Sequence, residues 1–224
     1  IELQQRLTAL AEHTIELGLS ITNQEMNVSD VPIAIIGMGK LGMRAMAPKS
    51  DLDLIFIARD GAELEHANQY SSRFQHLMEL RTREGRAYEM DMRLRPSGRQ
   101  GPVATSITAF RDYQSGEAWT WEHLALTRAR PLAGNIGLAE QVEAFRQDLL
   151  NEKSAGTAIL ADVAEMRGRI AAAKQPSGVF DAKIGRGRLQ DIELLSQTAA
   201  LLAGSPLRLT GAQLAAGVAS GWLD

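Results

Sequence analysis

Three aspartates have the types and spacing of a metal site. Asp51 and Asp53 are two residues apart at the start of an otherwise apolar segment, and Asp91 lies between two methionines in a later one. Side chains alternate faces along a β-strand, so Asp51 and Asp53 would point to the same side. If the two segments are neighbouring strands, three carboxylates converge and need a cation to offset their repulsion. Mg²⁺ prefers oxygen ligands and shares them with substrate phosphates, so the pattern predicts a magnesium site for phosphate chemistry.

A glycine-rich turn precedes these aspartates. Residues 37–42 read Gly-Met-Gly-Lys-Leu-Gly and directly follow the apolar run 33–36. Backbone amides in such a turn, together with the Lys40 cation, can bind phosphate oxygens. The turn also fits the dinucleotide-binding fingerprint, but that fold needs a full helix and then a strand with an acid at its far end. Only eight residues separate Gly42 from Asp51, and neither Ser nor Thr follows Lys40 as a Walker A loop requires.

The hydrophobic pattern supplies the elements that would position these residues. The predicted helices cover residues 2–26, 63–83, 137–151, 155–174, 188–204 and 210–219, and the predicted strands cover 33–36, 51–58 and 88–94, the last ended by Pro96 and a loop over 97–102. The stretch 103–134 has a mixed pattern. This order predicts an α+β fold, in which a small mixed sheet with helices precedes a helical bundle. We expect an N-terminal helix over 1–30, a catalytic domain over 31–135 and a helical domain over 136–224.

Composition excludes several classes of protein. The net charge of −3 and the pI near 5.9 argue against a nucleic-acid partner. There is no cysteine, and the four histidines have no zinc-ligand spacing. No apolar stretch approaches the ~20 residues that span a bilayer, and no signal peptide is visible. We therefore expect a cytoplasmic protein without a membrane partner, and, because both ends interrupt a pattern, a fragment of a longer chain.

Several motifs, in order, resemble one family. They are residues 37–42, Ser-Asp-Leu-Asp-Leu at 50–54, Tyr-Glu-Met-Asp-Met-Arg-Leu-Arg-Pro at 88–96, Glu-Ala-Trp-Thr-Trp-Glu-His at 117–123 and Arg-Ala-Arg at 128–130. The first two are similar to the core of the DNA polymerase β-type nucleotidyltransferase superfamily. The full set resembles the glutamine synthetase adenylyltransferases, bifunctional bacterial enzymes that add AMP to a tyrosine of glutamine synthetase and remove it. The 119–123 motif is more similar to their C-terminal, adenylylating half.

The resemblance implies a polymerase β-like core, ATP as substrate, Mg²⁺ as cofactor and a role in regulating nitrogen assimilation. Its implied partners are glutamine synthetase and a nitrogen-regulatory signalling protein. It assigns Asp51, Asp53 and Asp91 to metal binding and catalysis, with Asp91 also helping to deprotonate the acceptor tyrosine. The residues expected to bind the nucleotide are Gly37, Gly39, Lys40, Gly42, Ser50 and Arg93.

Three alternative functions stay open. The first is the reverse, deadenylylating reaction in the same fold, against which the tryptophan motif argues. The second is a regulatory domain that binds nucleotide without catalysis. Met43 and Ala45 support it because the family has a glycine and an acid there, whereas the three aspartates argue against it. The third is a small-molecule or RNA nucleotidyltransferase, and the acidic pI speaks against RNA.

Other polar and aromatic residues fit a structural role as well as a functional one. Trp119 and Trp121 are expected to pack in a core or hinge, with base stacking as the alternative. Arg93 would either balance the acids or contact phosphate. Structural roles are expected for His123, Asp191 and Glu193, whereas Arg128 and Arg130 would either reach the nucleotide or form ion pairs.

Overall fold

The fold belongs to the α+β class, as predicted. The computed structural model describes residues 2–96 and 98–224, so that Ile1, and Ser97 of the predicted loop 97–102, lie outside the described residues. The helices are α1 Glu2–Met26, α2 Gly39–Gly42, α3 Leu64–Met78, α4 Ile107–Gly116, α5 Thr120–Leu126, α6 Ile136–Lys153, α7 Ile159–Ala173, α8 Leu189–Leu202 and α9 Thr210–Ala219. The strands are β1 Ile33–Gly37, β2 Leu52–Ala58, β3 Met90–Asp91, β4 Ala104–Ser106 and β5 Arg130–Gly134.

The five strands form one mixed sheet around β1 and β2. β1 is antiparallel to β2 on one side and to β5 on the other. The outer side of β2 pairs in parallel with two short strands, β3 beside its first residues and β4 beside its last. The register sets Leu52 opposite Met90 and Asp53 opposite Asp91. The aspartates of two distant segments thus become neighbours at one end of the sheet.

Alternation along β2 separates its polar start from the core. Leu52, Leu54, Phe56 and Ala58 are buried in a cluster with the apolar faces of α1 and α3. The rings of Phe56 and Phe74 meet edge to face, with their centroids 5.7 Å apart. Because neighbouring strand residues point to opposite faces, Asp53 lies on the face away from this cluster. Burial of the leucines therefore fixes the direction of the aspartate.

Several predicted elements are shorter in the structure, among them the helix predicted over 155–174, which is limited to Ile159–Ala173. The helix predicted over 63–83 ends at Met78, because the following residues carry no continued apolar stripe and form a turn in which Thr82 N–H donates to Gly85 O at 2.9 Å. The strand predicted over 88–94 is limited to Met90–Asp91, since Arg95 N–H donates back to Met92 O at 3.3 Å. The mixed stretch 103–134 contains β4, α4, α5 and β5.

The chain contacts group into two compact units. Unit 1 comprises residues up to 117 and 129–145, and it contains the sheet. Unit 2 comprises 118–128 and 146–224 and is helical, with a core that includes Leu124, Leu150, Ile159 and Leu201. The three-segment division expected from the sequence stays a prediction. None of the helices described has the length and apolar character needed to cross a bilayer.

The α1–α3 cluster gives a direct test of where the core lies. Phe74→Ala should lower the free energy of unfolding by about 3–5 kcal/mol, because it removes a fully buried ring and leaves a cavity. The same substitution at Phe180, which is 96% exposed, should change it by less than about 0.5 kcal/mol. Urea unfolding followed by circular dichroism measures both. Equal effects of the two substitutions would contradict this core.

Candidate active site

Three carboxylates meet at the end of the sheet where β2 begins. One oxygen from each of Asp51, Asp53 and Asp91 lies within 4.8 Å of the others. Across residues 2–96 and 98–224, no other group of three histidine or acidic side chains is spaced to hold a metal ion. The cluster offers oxygen donors only, which suits Mg²⁺, and its spacing suits one ion or a pair about 3.5–4 Å apart. The convergence predicted from the sequence therefore exists in the fold.

The charged form of Asp53 is disfavoured by its surroundings. Burial is the largest cause that raises its pKa, to about 6, and the charges of Asp51 and Asp91 raise it further. Arg93 and Lys40 act in the opposite direction with smaller effects. An aspartate with such surroundings is unfavourable in its charged form at neutral pH unless a cation lies beside it. The donor set and this unfavourable charge together fit a bound divalent metal.

Arg93 contacts the cluster directly through Asp91. Its backbone N–H donates to Asp91 Oδ1 at 2.9 Å, and its Nε lies 2.9 and 2.8 Å from the two oxygens of that carboxylate. Its Nη2 also donates to Asp91 Oδ2. This contact fits the charge-balancing role that the sequence left open for Arg93. The guanidinium is largely exposed, so it can turn toward a second anion without crossing the core.

The glycine turn approaches Asp53 closely. Met38 N–H donates to Asp53 O at 2.9 Å, which joins the turn to β2. Gly39 has φ +50, and a Cβ atom there would lie 2.5 Å from Asp53 Oδ2, so only glycine fits. At Gly37 a Cβ would lie 2.7 Å from a Leu132 methyl carbon, which is a packing requirement. Gly39 thus allows the turn to lie against the carboxylate cluster, and Gly37 allows the strand before it to pack against Leu132.

The other predicted nucleotide-binding residues have different surroundings. Lys40 is half-buried on α2 and near enough to Asp53 to influence its pKa. Gly42 N–H donates to Met38 O at 2.8 Å and closes the short helix. Ser50 closes the turn before β2, since its hydroxyl oxygen accepts the Ala47 N–H at 3.1 Å. An open cleft of about 610 Å³ adjoins Asp51, and Lys49, Arg86 and Tyr88 are among the residues that line it.

Several of the other sequence predictions concern unit 2. A core position for Trp119 and Trp121 is wrong, because these side chains are 68% and 42% exposed around the first turn of α5. Packing in a hinge and base stacking stay predictions. His123 is buried, as expected of a structural residue. Asp191 accepts two hydrogen bonds from Arg167, at 3.0 and 2.6 Å, and thereby joins α7 to α8.

The two arginines of the 128–130 motif both form ion pairs. Arg128 is buried in unit 2, 3.6 Å from Glu193. Arg130 of β5, in unit 1, contacts Glu12 of α1 and the backbone of α2. Sequence reasoning missed Glu12 entirely. Its only signal in the sequence is a charged residue beside the buried stripe of α1. Its ion-pair partner, Arg130, lies more than a hundred residues away along the chain.

Comparison with known proteins identifies the family. The family model described as glutamate-ammonia ligase adenylyltransferase matches residues 2–145 of this chain. The chain belongs to this family. The resemblance inferred from the motifs is thereby confirmed.

Relatives of this family are similar over most of the chain. A protein of Rhizobium meliloti (strain 1021) is 42% identical over 88% of this chain and 22% of its own length. One of Mesorhizobium japonicum is 37% identical over 96% of this chain and 24% of its own. Both are named bifunctional glutamine synthetase adenylyltransferase/adenylyl-removing enzyme. The chain thus spans less than a quarter of the length of these two relatives.

The raised pKa of Asp53 predicts a stability change with a definite sign. The folded chain binds this proton more tightly than the unfolded chain, whose aspartates titrate near 3.8. Protonation of Asp53 therefore contributes fully to the free energy of unfolding below about pH 4, and this contribution is lost as the pH rises through about 6. In metal-free protein, Asp53→Asn should raise the free energy of unfolding by roughly 1–3 kcal/mol at pH 7.5 and change it little at pH 4.

Urea unfolding at the two pH values measures this effect. Asp60 is the matched control, because hydrogen bonds from Thr108 lower its pKa, so Asp60→Asn should cost stability at pH 7.5. Added Mg²⁺ should stabilise the wild type but not Asp53→Asn. A metal-free Asp53→Asn variant no more stable than wild type at pH 7.5 would contradict this account of the cluster.

Proposed function

We propose that this chain is the catalytic part of a Mg²⁺-dependent adenylyltransferase that transfers AMP from ATP to a tyrosine of glutamine synthetase. The observation that carries the proposal is the convergence of Asp51, Asp53 and Asp91 beside the glycine turn. Membership of the adenylyltransferase family supports the substrate, and the names of the relatives support glutamine synthetase as the acceptor. The transfer would regulate nitrogen assimilation in the cytoplasm, under a nitrogen-regulatory signalling protein as second partner.

The three carboxylates would bind the metal, and the glycine turn would bind the triphosphate. Asp51 and Asp53 would hold Mg²⁺ with the ATP phosphates, and Asp91 would complete the set. When bound, the metal would neutralise phosphate charge and favour ionisation of a phenol whose pKa is otherwise about 10. The turn at Gly37, Gly39 and Gly42 would orient the triphosphate.

The transfer itself is a displacement at the α-phosphorus. The phenol oxygen of the acceptor tyrosine forms a bond to this atom, and the bond to the β-phosphate oxygen breaks, so that pyrophosphate leaves. Asp91 would help to remove the phenol proton. Lys40 and Arg93 carry positive charge close to the carboxylates, where they would stabilise charge that develops on the phosphates. Arg93 would exchange part of its contact with Asp91 for phosphate contact.

Removal of AMP from the tyrosine is a second candidate, because the relatives are named adenylyl-removing enzymes as well. In that reaction, an oxygen of inorganic phosphate would attack the phosphorus of tyrosine-bound AMP. ADP would form and the tyrosine would be released. The same carboxylates could serve both directions, since each needs a metal at the same phosphorus. The motif Trp-Thr-Trp-Glu-His at 119–123 favours the adenylylating direction.

Label transfer separates these functions. With Mg²⁺ and α-³²P-ATP, the wild-type chain should label a tyrosine of purified glutamine synthetase. Asp51→Asn/Asp53→Asn should reduce the rate by at least about a hundredfold, because two groups that support the reacting phosphates lose their charge. The matched control is Asp112→Asn/Asp148→Asn, which neutralises two exposed carboxylates outside the cluster and should label normally.

The other outcomes identify the alternatives. Release of labelled ADP from adenylylated glutamine synthetase and phosphate, without forward labelling, would establish the deadenylylating reaction. ATP binding without reaction in either direction would favour a regulatory domain. Equal labelling by the wild type and the aspartate variant would contradict the assignment of the carboxylates.

A further inference from the structure

Arg130 has contacts that the proposed transfer of AMP does not use. It lies on β5 directly opposite Gly37 of β1, and its side chain is 18% exposed. Its guanidinium is directed at the backbone of α2. Nε donates to Gly42 O at 2.9 Å, and Nη2 donates to Leu41 O at 3.1 Å. Arg130 therefore binds the end of the glycine turn.

Glu12 of α1 anchors this arginine from the other side. Its Oε1 accepts a hydrogen bond from Arg130 Nη2, and Arg44 Nε lies 3.3 Å from the same oxygen. Arg44 lies two residues after the turn and has a left-handed backbone conformation, with φ +57. Hydrogen bonds between charged groups are stronger than neutral ones, and both Arg130 and Glu12 are largely removed from water. The pair thus connects α1, β5 and the turn.

The turn needs support from outside itself. Helix α2 has a single turn, with backbone hydrogen bonds from Gly42 N–H to Met38 O at 2.8 Å and from Met43 N–H to Gly39 O at 3.2 Å. Two further bonds, from Arg44 N–H to Leu41 O at 3.3 Å and from Ala45 N–H to Lys40 O at 2.9 Å, continue it into the following loop. Helices of this length are unstable alone. The position of the turn also matters to Asp53, because Gly39 touches its carboxylate. A small shift of the turn would therefore displace or crowd a proposed metal ligand.

We propose that Arg130, anchored by Glu12, is a positioning residue that fixes residues 38–43 against Asp53. It sets the geometry in which the nucleotide and the metal bind, and it contacts neither of them. The nucleotide part of this inference rests on the proposed function. The fixing of the turn does not, because it depends only on contacts within unit 1.

The conservative substitution Arg130→Lys tests the inference. Lysine keeps the charge but cannot donate to both carbonyls and Glu12 with the same geometry. Amide hydrogen exchange in a peptide covering residues 38–45 should become roughly tenfold faster, and ITC with ATP and Mg²⁺ should give a roughly tenfold weaker Kd. If Arg130→Lys does not fold, Glu12→Gln loosens the anchor alone and should change both quantities in the same direction.

Arg73→Lys is the matched control. Arg73 contacts Glu25, also on α1, through two hydrogen bonds of 2.8 Å, but it joins α1 to α3 instead of the turn. This variant should leave both exchange at 38–45 and the Kd for ATP unchanged. A general loss of stability would speed exchange throughout unit 1. A positioning role predicts instead that the increase in Arg130→Lys is confined to residues 38–45.

The two readouts separate the inference from the proposed function. Faster exchange at 38–45 together with weaker ATP binding supports both. Faster exchange in a chain whose wild type binds no ATP would keep the positioning role for the turn and overturn the nucleotide part with the proposed function. Unchanged exchange in Arg130→Lys would overturn the positioning role, whatever the Kd for ATP.

Discussion

The pairing of β3 with the start of β2 brings like charges together, and the rest of the site depends on it. Two residue pairs in parallel register set Asp53 beside Asp91. Unscreened carboxylates at this distance repel each other, and burial adds to the cost for Asp53, whose pKa rises to about 6. Burial of Leu52 and Leu54 on the opposite face of β2 offsets this unfavourable electrostatic energy. Hydrophobic packing thus holds acids where electrostatics alone would separate them.

Two cations and the glycine turn surround the carboxylate cluster, and the cations differ in how strongly they act on it. Arg93 contacts Asp91 directly, whereas Lys40 influences Asp53 more weakly from the glycine turn. The turn itself has few internal hydrogen bonds and depends on Arg130 and Glu12 for its position. The site therefore combines a rigid part, the start of β2, with a part that is held by side chains from α1 and β5.

Sequence reasoning reached those parts of the site whose causes are local. The period of two along β2 gave the common face of Asp51 and Asp53, and the apolar run before Gly37 gave the strand and the turn. The sequence did not predict features that depend on contacts between residues far apart in the chain. The pairing of β3 with β2 ends after two residues, and Arg130 meets Glu12 across more than a hundred residues. Trp119 and Trp121 look like core residues by type, but tertiary packing leaves them exposed.

The proposed mechanism requires that Asp51, Asp53 and Asp91 hold a divalent metal together with ATP. Electron paramagnetic resonance of Mn²⁺, which replaces Mg²⁺ in oxygen sites, counts the free ion during titration with a non-hydrolysable ATP analogue present. A titration without protein gives the Mn²⁺ that the analogue binds by itself, which is subtracted. The account predicts that the wild-type chain removes Mn²⁺ from solution, that Asp91→Asn weakens this binding at least about tenfold, and that Asp112→Asn does not. Equal free Mn²⁺ in wild type and Asp91→Asn would contradict it.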